Sequence, residues 1–511
     1  MTGAAKIFRA VALALAAWFV ALTCYVFARR FVYPYDLEWM EGGMLAHALR
    51  LANGQPIYAP PSVDFIPYLY TPGYPALVFV LGKIFGIGYA LGRFVSLAGF
   101  FTVAVLGYVY ARREGGSRAA AACAIAIMFG AFVPTGTFYD LARPDSLFMG
   151  LVTAGLLVGW WKRKSNGGAV AAALILVAAF FVKQTAAPFM LALGLALLLA
   201  TPRVAVVYGV TLAVVGLPLL WICNHASDGW FWTYISVLHR KHDFFPARAF
   251  LGTPGRLALI LGPAILLVPW ALVRRRTPGL VYATLIAVAG IGAACLSFGT
   301  QWAFTNAFMP GVMLPAIAIG VAAGCLVDDT RQAPPRLRPA AVYVLLALSI
   351  LTSPGGLLPI AGRMIPASWH PEALLQPTGY DPRIFIPTAQ DRAAGDALLA
   401  RIRTTDGEVL IPFHPFYAQL AGKRTYLHRM GVMDIWRAGM GAPRGLVDAF
   451  DAHRFALIVM DDKIDGNWQM WPRLLADYRI ASTIAGPRVV SGSPTVPRYL
   501  LVPNMINNEL Q

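Results

Sequence analysis

Charge is scarce in this 511-residue chain: Asp, Glu, Lys and Arg make up 13% of it, about half the share of a soluble globular protein. Acid is scarcer than base, with 25 Asp and Glu against 42 Lys and Arg and a formal net charge of +17. Hydrophobic residues fill 58% of the chain, and the mean hydropathy is +0.60. These proportions exclude a soluble enzyme over most of the length and exclude disorder. Cysteine is also sparse. Cys24, Cys123, Cys223, Cys295 and Cys325 all lie in or beside apolar runs, so no disulfide framework braces the last third of the chain. There is no CxxC, no HExxH, no GxxxxGK[ST] and no GxGxxG after a strand, which leaves ATP-driven transport and nicotinamide chemistry without their signatures. The cations flank apolar runs, so the basic excess reads as topogenic, and no nucleic-acid partner is expected.

What the chain has is long apolar runs. Spans of the length that crosses a bilayer fall at roughly 7–28, 91–110, 119–137, 146–161, 168–183, 187–200, 204–222, 257–273, 279–298, 303–326 and 338–356. A shorter run at 73–88 is broken by Gly82, Lys83 and Gly86. The basic connections are Lys6 and Arg9; Arg112, Arg113 and Arg118; Lys162, Arg163 and Lys164; Arg203; Arg274, Arg275 and Arg276; and Arg331, Arg336 and Arg338. They all fall on the cytoplasmic side if 73–88 is re-entrant or interfacial rather than a full crossing. The expectation is an α-helical polytopic membrane protein of about 11 spans, N-terminus inside and C-terminus outside. The first run is longer than a signal-peptide core and ends on Arg29 and Arg30, so it reads as a retained anchor.

The predicted outside pieces are loop 29–72, the turn 138–145, a loop at 224–255 and the tail 357–511. The transmembrane domain is thus expected over 1–356. The tail alternates strand-like runs at 409–411 and 456–460 with helical stretches at 391–403 and 415–421, the pattern of a small extracytoplasmic α/β domain. His414, His428 and Asp434 in it read as satisfied loop residues rather than a metal or catalytic set.

Several charges sit at the outer membrane boundary. The first outside loop, FVYPYDLEWMEGGMLAHALRLANGQPIY, carries Asp36, Glu38 and Glu41; a helix is expected from Leu37 with Asp36 as its cap. TFYDLARPDSLF places Asp140, Arg143 and Asp145 at the same border, with Pro144 as a helix start. FFVKQTAAPF puts Lys183 and Gln184 at the end of a span with almost no polar loop around them, where an ionisable residue is a functional-site hypothesis. Cations for a phosphate and a carboxylate for the chemistry are what a lipid-linked phosphate substrate requires.

These residues bring a resemblance into view. YDLEWMEGG, ANGQPIY, YLYTPGYPAL and Arg93 in FGIGYALGRFVSL, in that order, resemble the signature of the GT-C superfamily of membrane glycosyltransferases, most of all glycosyltransferase family 39 with its protein O-mannosyltransferases and aminoarabinose transferases. The likeness is good over 1–200 and loose beyond. RPD at 143–145 and KQT at 183–185 also look like elements of bacterial members. Family members commonly carry adjacent Asp-Glu where this chain has Asp36-Leu37-Glu38.

The resemblance implies an inverting transfer of a sugar from a polyprenyl phosphate donor to a lipid, glycan or protein acceptor on the periplasmic face of a bacterial inner membrane. Asp36 is the implied base, with Glu38 or Glu41 able to share or take over the role. Lys183 and Arg143 are the candidates for the donor phosphate, with His239 and Arg240 behind them. Asp145, Gln184, Tyr70, Gln301 and Asn306 make up the candidate substrate-binding set. Metal dependence stays open; Glu41 and Asp145 offer oxygen ligands to a divalent ion. The competing classes are a secondary transporter, which places its charges near the midplane, and a polysaccharide polymerase or ligase.

Overall fold

Apolar, Ala- and Leu-rich runs between basic or Gly/Pro-containing connections fold as helices because only a helix satisfies its backbone without water. The computed structural model describes residues 3–328, 338–354, 382–461 and 470–504. Arg331, Arg336 and the start of the tail at 357–381 lie outside the described residues. The helices of the bundle are α1 (Gly3–Phe31), α2 (Glu41–Ala52), α3 (Gly73–Phe85), α4 (Tyr89–Gly115), α5 (Arg118–Gly130), α6 (Pro144–Trp161), α7 (Asn166–Val182) and α8 (Ala187–Ala200). They continue with α9 (Pro202–His225), α10 (Arg248–Arg274), α11 (Pro278–Gly299), α12 (Met309–Val327) and α13 (Arg338–Thr352). The chain is a multi-pass membrane protein, and six of its described helices are long and apolar enough to cross a bilayer on their own.

Burial orders the bundle. The segment Thr305–Val327, which contains α12, has 89% of its apolar window buried, whereas α9 has 6%. α12 is therefore the axis, packed by α4, α5 and α11, and α9 presents its Val and Leu side chains to lipid. Small residues let the central helices touch. A Cβ on Gly99 of α4 would stand 2.4 Å from the Ser146 carbonyl of α6, so only glycine permits that approach.

Two expectations need correction. The run 119–137 is helical only to Gly130; Pro134 and Gly136 turn the rest into a buried irregular segment, with Thr137 at positive φ. The first-loop helix starts at Glu41, not Leu37, and its N-cap is Met40. The carboxylates of the loop fold back on their own backbone instead: Glu38 accepts from Met40 N–H and Glu41 from Leu37 N–H.

The two ends of the bundle differ in charge. The basic stretches 112–118 and 162–164 lie at one end, where Arg163 is bound to Trp160 and Thr201. The first loop, the turn 131–143, the C-terminal end of α7 and the segment 226–247 gather at the other. α3 starts there, with Gly73 against Phe181, and α4 also starts there, with Tyr89 against Phe416 of the tail.

The tail forms a four-stranded sheet, β1 (Glu408–Leu410), β2 (Phe455–Asp461), β3 (Tyr478–Thr483) and β4 (Pro497–Pro503), in the order β1-β2-β4-β3. β1 and β2 are parallel, joined by a helical crossover; the other pairs are antiparallel. Helix α14 (Ala389–Thr404) opens on a capping box of Thr388 and Asp391, and α15 (Arg429–Arg437) follows β1. This domain caps the end of the bundle that carries the first loop. Val490 and Ser491 donate backbone N–H groups to the Leu37 carbonyl at 3.0 Å, and Tyr35 donates its hydroxyl to Asp396 at 2.5 Å.

Candidate active site

The three acids of the first loop have three different neighbourhoods. Glu41 is fully engaged. Its Oε1 accepts from Arg93 Nε at 3.1 Å and Ala142 N–H at 2.7 Å; its Oε2 accepts from Arg93 Nη2 at 2.9 Å and Leu37 N–H at 2.6 Å. All four lone-pair directions are taken, which leaves no acceptor for a substrate proton or an ion. Arg93 also donates to the carbonyls of Arg30, Tyr33 and Tyr35, and Arg30 pairs with Asp140 at 2.8 Å. These buried pairs staple α1, α4 and the turn before α6 to the first loop.

Asp36 points at the C-terminal domain. Its Oδ1 accepts from Gly42 N–H at 2.8 Å, and its Oδ2 lies 2.8 Å from His414 Nδ1. The other ring nitrogen, Nε2, lies 3.0 Å from Asp461 Oδ2, which also accepts from the Thr495 hydroxyl at 2.6 Å. His414 is satisfied, as expected, but by two carboxylates rather than by its own loop. Burial works against a charged ring here, yet Asp461 and Asp36 outweigh it and push His414 up to about 10.

Glu38 faces the membrane helices. Its Oε2 accepts from Arg143 Nη1 at 2.8 Å, with both side chains buried. Burial pushes the Glu38 carboxyl up to about 7, against the pull of Arg143. Arg143 is held in turn by the Tyr70 hydroxyl, 3.1 Å from Nη2. Its carbonyl accepts from Ser96 of α4.

From Arg143 the polar chain runs on into a cleft. Pro144 starts α6 with Arg143 as N-cap, so Asp145 sits in the first turn where the helix dipole favours it. Asp145 Oδ1 accepts from Lys183 Nζ at 2.6 Å and from Asn306 Nδ2 at 3.0 Å. Asp145 Oδ2 and Arg143 Nε stand 4.0 Å apart, both buried and neither with a hydrogen-bond partner among the described residues. Asp145, Lys183, Thr185, Ser297 and Asn306, with Phe148 and Phe189, line a tight space of about 10 Å³, room for about one water. Lys183 keeps some exposure, and an ammonium has three donors, so pairing with Asp145 does not exhaust it.

Beside the cleft, on the other side of α7 and α8, is an apolar groove of about 300 Å³ lined by Phe180, Phe181, Met190, Leu212, Leu217 and Leu220 among others. Phe181 of the groove and Lys183 of the cleft are two residues apart, and Phe189 of the cleft and Met190 of the groove are adjacent on α8, so the two spaces flank the junction of α7 and α8.

The remaining candidates are dispersed. Gln184 donates to the Leu69 carbonyl at 2.6 Å. Gln301 accepts from Asp243 N–H, and His242 lies 3.1 Å from Asp434, so this connection binds the C-terminal domain. His239 and Arg240 are exposed on the same segment. Among the described residues no group of three His, Cys, Asp or Glu side chains is placed to hold an ion. The sequence did not signal the partnership of His414 with Asp36, because 378 residues separate them.

A helical membrane bundle with an α/β domain seated on the end that carries the first loop defines the class of protein. No protein-family model and no curated protein sequence matches the chain. Solved structures do. ArnT from Cupriavidus metallidurans bound to undecaprenyl phosphate superposes with a TM-score of 0.53 at 16% identity, covering 99% of each chain. Its apo state gives a TM-score of 0.53 at 14% identity, covering 95% of this chain and 97% of that one. The chain shares the fold of these two structures, a polytopic helical bundle with a C-terminal α/β domain, as the sequence led us to expect.

Proposed function

We propose that this protein is an integral membrane glycosyltransferase that moves a sugar from a polyprenyl phosphate donor to a nucleophilic acceptor: a lipid, a glycan or a protein. The single observation that carries the reading is the chain Glu38–Arg143–Asp145–Lys183, which links a carboxylate of raised pKa to an ammonium beside an apolar groove. The groove suits a prenyl chain, and the partly exposed Lys183 ammonium, with Arg143 behind it, suits a phosphate. The ArnT structure that shares the fold is one bound to undecaprenyl phosphate.

In this reading Glu38, rather than Asp36, is the base. A carboxyl near pKa 7 is ionised enough to accept a proton and basic enough to hold it. The acceptor oxygen or nitrogen attacks the anomeric carbon and loses its proton to Glu38. The bond from that carbon to the phosphate oxygen breaks, the configuration inverts, and polyprenyl phosphate departs. A phosphate leaves readily, so no second carboxylic acid is needed, in contrast to a glycosidase. Lys183 and Arg143 stabilise the charge that grows on it. The capped end would face the periplasm of a bacterial inner membrane, because the basic connections gather at the opposite end. A secondary transporter gathers its charges near the midplane, whereas here they collect at one end.

The test is incubation of the purified protein with undecaprenyl phosphate carrying radiolabelled sugars and with membrane extract. Loss of label from the prenyl lipid into a second product is expected. Label that stays on the lipid for every sugar tried would overturn the proposal.

A further inference from the structure

We propose that the C-terminal domain is a working part of the site, with His414 as the positioning residue that holds the Glu38 segment in place. The inference rests on the glycosyltransferase reading above and goes beyond it by assigning the domain a role.

Asp36 and Gly42 bracket Glu38, and both ends of this short arc are fixed by one side chain. Asp36 Oδ1 takes the Gly42 N–H while Oδ2 takes His414. Remove His414 and the arc loses its outer anchor. The His414 ring cannot rotate out of the way, because Asp461 holds its far nitrogen and Thr495 holds Asp461. Asp461 ends β2, and His414 sits in the short loop after β1, the strand paired beside it, so the clamp stands at the end of the sheet. A ring between two ionised carboxylates needs two N–H groups, which only the imidazolium has. Its single positive charge is shared by Asp36 and Asp461, which leaves the triad one negative charge in excess, and all three side chains are fully buried.

Two further contacts from the same domain bear on the same arc. Val490 and Ser491 bind the Leu37 carbonyl. Gly492 packs against Glu38 so closely that a Cβ there would stand 2.8 Å from Glu38 Cγ. The domain therefore grips the arc at Asp36, at Leu37 and at Glu38. A domain that merely covered the cavity would have no reason to meet the base-bearing segment at three successive residues with a buried ion triad.

The experiment compares wild type with His414→Ala, His414→Asn and Asp461→Asn in two ways: steady-state transfer from undecaprenyl phosphate sugar, and hydrogen exchange of the peptide spanning 32–42. His414→Ala is expected to lower kcat about 100-fold with KM for the lipid donor little changed, and to raise exchange at 37–42 while helices α4 and α12 stay protected. His414→Asn, which keeps a donor toward Asp36, is expected to recover part of kcat. Asp461→Asn is expected to fall between wild type and His414→Ala. Unchanged exchange at 37–42 in His414→Ala overturns the clamp, and so does a KM rise that accounts for the whole loss of activity. If wild type transfers no sugar, the glycosyltransferase reading fails, and the exchange measurement alone then decides whether His414 holds the arc.

Discussion

Glu38 and Arg143 are 105 residues apart in the chain and 2.8 Å apart in space, both side chains buried. That contact joins the first loop to the start of α6 and so to Asp145, Lys183 and Asn306. The proposed chemistry depends on it, because it brings a first-loop carboxylate into the same polar chain as the phosphate-binding candidates.

Glu38→Gln keeps the shape and the hydrogen bond to Arg143 but removes the proton acceptor. The expected loss of kcat is about 10²–10⁴-fold, with undecaprenyl phosphate still bound. Turnover and lipid binding measured on the same preparation check it. Asp36→Asn should lose less, and through altered positioning, since Asp36 has no acceptor directed at the cleft.

The pH dependence follows from the raised carboxyl. Glu38 must be ionised to act, so kcat should climb as pH rises through about 7 and level off above it. Arg143→Met removes the cation that holds the carboxyl down and should move the midpoint upward. A pH–rate profile of both proteins tests the sign. A wild-type profile flat between pH 5 and 8 would contradict the assignment.

Lys183→Met should weaken the donor rather than the chemistry alone. A hydrogen bond to a charged group contributes about 1.5–3 kcal/mol, so the Kd for undecaprenyl phosphate should rise about 10- to 100-fold. Titration of the detergent-solubilised protein with undecaprenyl phosphate reads this directly.

Glu41→Gln tests a different role. Glu41 and Arg93 are fully buried and pair bidentately, so breaking the pair leaves an uncompensated guanidinium and should cost about 3–5 kcal/mol. The expected outcome is a lower unfolding midpoint in detergent, with activity lost in proportion to the folded fraction.

The His414 clamp also carries a sign. Its folded pKa, pushed up to about 10, lies above the ordinary value near 6.5. Its contribution to stability is therefore complete below about pH 6.5 and is lost as pH rises toward 10. The protection factor at 37–42, which removes the intrinsic rise of exchange with pH, should fall over that window in wild type and show no such fall in His414→Ala.

Much of this was legible in the sequence. Apolar run length gave the helices, and the crowding of Asp36, Glu38, Arg143, Asp145 and Lys183 at span ends pointed to one border, because charge beside a membrane is costly without a partner. The alternation at 409–411 and 456–460 marked β1 and β2. What stayed hidden was pairing. Nothing local distinguishes Glu41, which Arg93 consumes, from Glu38, which Arg143 ties to the cleft. The choice is made by contacts with α4 and the start of α6, 52 and 105 residues away. The early end of α5 was likewise masked, since hydropathy continues through 131–137 while Pro134 and Gly136 break the helix.

The most direct measurement of the central claim is a structure of the protein with undecaprenyl phosphate bound. The account predicts the phosphate within ion-pair distance of Lys183, the prenyl chain along Phe180, Phe181 and Leu217, and Glu38 on the sugar side of the phosphate. A phosphate bound at the opposite end, beside Arg274, Arg275 and Arg276, would contradict it.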